Sequence, residues 1–455
     1  MKFNKTKLFA LAMLVVSASF TACKKDKEEE VVTPKDVEVL QGQITTKKVL
    51  DANKIYLLRG YVRVMGNGGN LEIPAGTVIK GEKASMGALI VEKGGFIKAN
   101  GTPTNPIIFT SDQEAAVRKE GDWAGVVICG KSKVNTATGT ALYEGGALGD
   151  GVAEYGGGAN PILNDNSGEF TYVRIEFAGY PIQTDKEING LTLCAVGSET
   201  KLHHIQVSYC MDDSFEFFGG TVNATHLIAY RGIDDDFDFD QGFDGKIQYA
   251  ISFRDPAMAD KSISRGIELD NGGTVSGDAY SRPILSNFTL IGSGVNGVTN
   301  HGAGVYFGRN SRMVMGNSIV VGARTNAVEF NTNFPAAELK GGRSIFSNNL
   351  IFGATANYGI IGVDAATFAD AAALATFATT AGNTTIASVD AAGFNNVSVA
   401  TPDLTLKAGS PALGKAKWEG DLANAYFTKE TFVGAMGSTN WSTGWASWTP
   451  KSNTY

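Results

Sequence analysis

The chain has 455 residues, 39 basic against 46 acidic side chains and a formal net charge of −7. That balance excludes bulk electrostatic attraction to nucleic acid or other anionic polymers. Its 56 glycines are about 12 % of the chain against an ordinary ~7 %, which points to many tight turns between short strands and away from a helical protein.

The first residues read as an export segment. Lys2, Lys5 and Lys7 give a basic start, and 8-LFALAMLVVSASF-20 is an apolar run too short to cross a bilayer. The run ends in 20-FTAC-23, which resembles the lipobox of bacterial lipoproteins, with Phe20 where leucine is usual. The resemblance implies that residues 1–22 are a signal peptide and that Cys23 becomes the lipidated first residue. Residues 23–36 then form a tether, and the acidic part of 24-KKDKEEE-30 is similar to the surface-export signal of some Gram-negative lipoproteins. The implied address is the outer membrane, lipid-anchored and exposed at the cell surface. Without residues 1–22 the balance is 36 basic against 46 acidic, or −10.

Residues 37–417 carry internal repeats. The stretch 71-LEIPAGTVIKG-81 is echoed 18 residues later by 89-LIVEKGGFIKA-99, and 204-HIQVSYCMDDSFEFFGG-220 aligns with 226-HLIAYRGIDDDFDFDQG-242 at a shift of 22. Looser copies of an apolar–x–apolar kernel follow at 267-IELDNGG-273, 305-VYFGRN-310 and 328-VEFNTN-333. A second strand type recurs as 287-NFTLIG-292, 317-NSIVVG-322 and 348-NNLIFG-353. Short strands recurring at a period near 20, lengthened by loops, describe the coils of a parallel β-solenoid. Equivalent residues then stack from coil to coil, so Asn287, Asn317 and Asn348 should form a ladder with their amides hydrogen-bonded between coils. His204 and His226 should stack likewise, with His203 and His204 on opposite faces of their strand.

Three regions interrupt the repeats. Residues 131–168, including 144-EGGALGDGVAEYGGGANP-161, read as a long Gly-rich loop. The Ala-rich 364-DAATFADAAALATFATT-380 reads as a helix inserted on the side. Residues 418–455 carry Trp441, Trp445 and Trp448 at the spacing of one helical face and are expected to cap the last coil. Cys129, Cys194 and Cys210 lack metal-site spacing and read as buried thiols, with a Cys194–Cys210 disulfide as the alternative.

Superposing the coils gathers the acids. In 231-RGIDDDFDFDQGFDGK-246 the phenylalanines alternate with aspartates, a period of two that belongs to a strand with one apolar face. Counted from Asp236, a calcium-binding helix–loop–helix would need Gly where Gln241 stands and Glu where Ile247 stands, so that motif is absent. The outward positions form one ligand face: Glu216, Asp238, Asp240, Glu268, Asp270, Tyr306 and Glu329. The preceding turns add Asp212, Asp213, Asp234, Asp235 and Asp236 as oxygen donors suited to a hard divalent cation such as Ca²⁺. Two carboxylates about 4 Å apart repel by ~1 kcal/mol in water and ~4 kcal/mol at an effective dielectric of 20. Such repulsion should be relieved by a cation, by Arg231, Lys246 or Arg265, or by raised carboxylate pKa values, and a solvated acidic face screened by salt and local bases stands as the alternative to cation binding.

The stretches LEIPAGTVIKG, GGFIKANGTPTNPIIFTSD and 404-LTLKAGSPALGKA-416 look like right-handed parallel β-helix proteins of secreted and lipoprotein type. Residues 121-GDWAGVVICG-130, 171-TYVRIEFAGY-180, 188-INGLTLCAVGSET-200, 212-DDSFEFFGGTVN-223 and 234-DDDFDFDQGFDGKIQ-248 are together similar to a family of bacterial surface lipoproteins without an established activity. The expectation is therefore an all-β, right-handed parallel β-helix with Gly-rich loop insertions, a short helical insertion and a C-terminal aromatic cap. As a function, it implies capture of an extracellular ligand, carbohydrate foremost, in support of an outer-membrane transporter. Two readings stand beside it. One is a polysaccharide lyase or glycoside hydrolase using Asp212, Asp213, Asp234 and Asp238 with Lys246, Arg254 or Arg265 as basic partner. The other is a structural or adhesive surface protein.

Overall fold

Strands with one apolar face can all bury that face at once if the chain winds them into a coil round a common axis, and the residues from Asp36 onward do so as one unit. The computed structural model describes residues 35–144, 153–183, 186–272 and 278–455. The signal segment, Cys23, nearly all of the tether and the centre of the Gly-rich loop lie outside the described residues. Twenty-six strands join in one hydrogen-bonded system whose pairings within it are parallel, the right-handed parallel β-helix the repeats led us to expect.

Each coil contributes to three sheets. Sheet 1 stacks Phe215–Phe218 on Phe237–Asp240, then Ile267–Leu269, Val305–Phe307 and Asn326–Asn331. Sheets 2 and 3 share bent strands such as Lys201–Ser208, Asn223–Tyr230, Lys246–Phe253 and Ile284–Ile291. The core is a stack of identical or similar side chains: the Phe215 and Phe237 rings lie 5.2 Å apart and those of Phe217 and Phe239 5.0 Å. Each such pair adds about 0.5–1.5 kcal/mol beyond its buried area.

The shift of 22 is a true coil, since Phe215 pairs with Phe237. The shift of 18 is not, because Leu71 pairs with Ile97 and Val62 with Leu89. The two echoed segments are different corners of the solenoid, each a strand–turn–strand unit, with the Gly81–Ala88 corner between them, so their likeness reflects the shape of a corner rather than a full turn.

From Tyr172 onward, the bend between sheets 2 and 3 places a left-handed residue in each successive coil. Tyr172, His204, His226, Tyr249, Asn287, Asn317 and Asn348 fill it, with φ of 50°, 55°, 59°, 61°, 56°, 54° and 55°. Asparagine and histidine enter this region more readily than most residues. His203 and His204 therefore do not alternate across a flat strand; their Nδ1 atoms approach to 3.0 Å at the bend. The asparagine ladder is also displaced by one residue. The amides of Asn287 and Asn317 turn outward, to Phe432, Gly434 and Lys417. Asn287 Oδ1 still accepts from Gln248 of the preceding coil at 3.0 Å, but these three asparagines do not bond one another; the ladder of that kind runs one position on, where Ser318 N–H donates to Asn349 Oδ1 at 2.9 Å and Asn349 N–H to Asn383 Oδ1 at 3.1 Å.

The terminal elements exchange the roles expected of them. The Ala-rich helix Ala371–Thr380 puts Leu374 and Ala378 into the main core and so closes the C-terminal end. The aromatic tail instead runs back along the sheet 2–sheet 3 bend, from Lys417 on Asn317 to Tyr455 on Arg174 and Glu176, with no helix at its tryptophans. Its physical reason is the outward row of bend residues, which offers amides and ring edges along the side. At the other end, Glu38 in register over Tyr56 and Lys48 over Leu71 put charges where an apolar stack would continue. Glu38 accepts from Lys48 at 3.1 Å and Lys54 at 3.0 Å. Charges at an end rung oppose edge-to-edge pairing.

Candidate cation and ligand site

The turns that enter sheet 1 must return the chain through about a right angle, and their backbone N–H groups need acceptors. Aspartates supply them: Asp213 Oδ1 accepts from Asp235 N–H at 2.9 Å, and Asp235 accepts in turn from Arg265 N–H. Asp236 goes further inside. It is 0 % exposed, 3.1 Å from the Arg254 guanidinium (itself 3 % exposed), and takes a hydrogen bond from the Ser252 hydroxyl. Arg254 also donates to the Gly232 carbonyl at 3.2 Å. Burial raises the Asp236 carboxyl to about 7, against the opposing pull of Arg254. Asp235 and Asp236 therefore belong to the fold and join neither cation-sized group of acids described below.

Those groups share Asp213. Asp212, Asp213 and Asp234 form one, and Asp213, Glu216 and Asp238 the other, with the donor oxygens of each within 4.8 Å of one another. Calcium–oxygen bonds of about 2.3–2.6 Å span roughly 4.6–5.2 Å between two oxygens, so both sets fit a hard cation. The first set opens on a cleft of about 400 Å³ lined by Asp212, Asp234, Asp260, Lys261, Ser262, Met211, Pro181 and Gly179. Ser262 donates to Asp234 at 3.0 Å. Burial, then Asp235 and Asp260, raise Asp234 to about 7. Burial and then Asp212 hold Asp213 well above the usual carboxylate range, and burial and then Glu268 do the same for Asp238.

The ligand face is drier than a solvated acidic edge and most of it is paired, although Asp238 keeps a buried Oδ1 without a hydrogen-bond partner among the described residues. Glu216 is 8 % exposed and accepts from Asn189; burial, then Glu144, raise its carboxyl well above normal. The Gly-rich excursion covers the neighbouring outward positions, because it carries a short hairpin, Ala141–Leu142 with Glu154–Tyr155, whose Tyr143 and Tyr155 pack on Val127, Cys194 and Phe218. Arg265 bonds Glu268 at 2.6 Å and lies 4.0 Å over the Tyr306 ring. Asp270 holds Arg309 at 2.7 Å, Glu329 takes Asn326 at 2.6 Å, and Asp240, raised to about 6 by burial, accepts from Gln241 and from Gly272 at 3.2 Å.

Two of the three expected neutralising bases are elsewhere. Arg231 pairs with Asp255, and Lys246 opens a strand of sheet 2 where its N–H donates to Asn223. The Cys194–Cys210 pairing is excluded as well. Cys194 is in register with Cys129, and Cys210 donates to the Asp213 carbonyl at 3.0 Å; all three are free thiols. Sequence reading missed Asp260, Lys261 and Ser262. The signal was available: Gln248 pairs with Ser286, a coil lengthened by 254-RDPAMADKS-262, and insertions in a solenoid gather on one side.

Three parallel sheets wound round one core, with acids along one corner, define a single-stranded parallel β-helix. Residues 42–397 match the model of the pectate-lyase like beta helix domain, and the chain belongs to that family. Among solved structures it is similar to the pectate lyase Pel9A at 13 % identity, with 86 % of this chain and 89 % of that one covered and a TM-score of 0.37. It is also similar to the Dettilon tailspike protein at 13 % identity, covering 62 % of this chain and 59 % of that one with a TM-score of 0.21. No curated protein matches.

Proposed function

We propose that this protein is a cell-surface lipoprotein that binds an acidic polysaccharide through a divalent cation held at Asp212, Asp213 and Asp234. The observation that carries the reading is the coincidence of a cation-sized carboxylate set with a cleft that also presents Lys261. A cation at this set would relieve the repulsion that raises Asp213 and Asp234, and its open coordination positions would take uronate oxygens. Lys261 adds a mobile positive charge for a second carboxylate of the same chain. The basic, apolar leader ending in Cys23 supports a lipid anchor in the outer membrane, where the captured glycan would pass to a transporter.

The test is calorimetric titration of Ca²⁺, then of oligogalacturonate with and without Ca²⁺. Glycan binding that needs Ca²⁺ and disappears in Asp212→Asn/Asp234→Asn supports the proposal; equal glycan binding in EDTA ends it. The same cleft favours a second reading, β-elimination, because Lys261 stands where a base could meet a cation-held uronate. Growth of ultraviolet absorbance at ~230–235 nm on incubation, lost in Lys261→Met, would select that reading over binding alone.

A further inference from the structure

Along the sheet 2–sheet 3 bend four rings form one column. Tyr172 lies 4.3 Å from His204, His204 4.2 Å from His226, and His226 4.7 Å from Tyr249. The tail closes over the edge of this column with Trp441 4.9 Å from His226 and Trp445 5.5 Å from His204, both edge-on. Further along, Ser447 and Gln206 exchange hydrogen bonds of 2.7 and 2.8 Å, and Tyr455 reaches Glu176 at 2.8 Å. In the coils where asparagine fills the bend, the tail is held by amide hydrogen bonds instead. Among the described residues of the bend, the ring-filled positions are the ones that set imidazoles against the tail.

We infer that residues 438–455 are a strap clasped by neutral His204 and His226, released when acid charges those two rings. Both faces of each imidazole are covered by another ring, and His226 Nδ1 is buried without a hydrogen-bond partner among the described residues. Charging both would set two cations face to face at 4.2 Å. Among the described residues, the groups around them offer no compensating carboxylate contact. His203 faces His204, Lys201 and Glu169 beside it pair with each other at 2.6 Å, and Glu430 of the tail is engaged by the Tyr249 hydroxyl at 2.9 Å. Trp441 and Trp445 contribute no charge.

Burial first, then the neighbouring histidines, holds His204 at about 3 and His226 at about 4. The two imidazoles stay stacked between Tyr172 and Tyr249 when the tail lifts, but their edges and His226 Nδ1 then meet water, which moves both values toward the ordinary 6.5. The detached state thus binds more protons below about pH 6.5, and the clasp is fully present above 6.5 and weakens as pH falls. Full recovery of 6.5 sets a ceiling of roughly 30-fold per ring toward release at pH 5.

Hydrogen exchange of the full-length protein at pH 7.5 and pH 5.0, corrected for intrinsic rates, reads this out peptide by peptide. We expect peptides within 438–455 to lose protection at pH 5.0 while the core strands Phe215–Phe218 and Phe237–Asp240 keep theirs. His204→Tyr/His226→Tyr, using the residue already present at the column's two ends, should keep the strap protected at both pH values. Equal strap protection of the unaltered protein at both pH values overturns the inference without any variant. Strap release at pH 5.0 that persists in folded His226→Tyr with unchanged magnitude also overturns it.

Discussion

Asp234 and Asp236 stand two residues apart in one turn, and the molecule uses them in opposite ways. Asp236 points inward to Arg254 and Ser252, and its charge is matched by protein. Asp234 points to a cleft beside Asp212 and Asp260, and its neighbours are mostly of its own sign. Asp236 is held by an ion pair inside the fold, whereas Asp234, with the Ser262 hydroxyl as its donor, is left beside other acids at the cleft. The proposed cation site rests on that difference, in a stretch where composition makes the two acids look alike.

The contrast can be broken from the structural side first. Arg254→Met leaves Asp236 buried without its cation and should cost about 3–5 kcal/mol, read as a lowered denaturant midpoint at pH 7.5. A change below 1 kcal/mol would mean that Asp236 is not held by that pair. On the other side, Asp212→Asn/Asp234→Asn should leave the cation-free protein as stable as before or slightly more so. It should abolish a Ca²⁺-induced stabilisation that in the unaltered protein reaches about 2.7 kcal/mol at a hundredfold excess over Kd. Loss of fold in that variant would move Asp234 to the structural class.

A smaller effect follows from protonation. Because Asp234 is raised to about 7, its charged form is disfavoured in the cation-free protein and a cation must displace a proton below that value. Displacing the Asp234 proton alone should raise apparent Ca²⁺ affinity by about tenfold from pH 6 to pH 8, the raised Asp213 adds to that rise, and a flat profile would assign the cation elsewhere. The smallest expected change in stability concerns the N-terminal end. Glu38→Leu/Lys48→Leu removes the charged rung and should alter stability by less than ~1 kcal/mol while producing end-to-end association, visible by light scattering.

The fold was legible because solenoid coils repeat their side chains. The 22-residue shift from Phe215 to Phe237 aligned the sheet 1 strands and the His204–His226 stack together. What periodicity does not carry is which side of a coil an excursion covers. Hence residues 131–168 look like a plain loop in the sequence, although Tyr143 and Tyr155 bury part of the ligand face. The position of the tail is hidden for the same reason, since Trp441 and Trp445 meet partners more than 200 residues earlier in the chain. For the candidate site, repetition brought Asp212, Asp213 and Asp234 together, a set the structure also gathers, but it added Asp235 and Asp236, whose partners Arg265 and Arg254 come from the connection between Phe253 and Ile267. Lys261 escaped notice because it occurs once, in a single lengthened coil.

Titrating Ca²⁺ into the unaltered protein and into Asp212→Asn/Asp234→Asn at pH 8 tests the central claim most directly. The account predicts one saturable site in the former and none in the latter, with both proteins folded. Absence of binding in both, or equal binding in both, would contradict it.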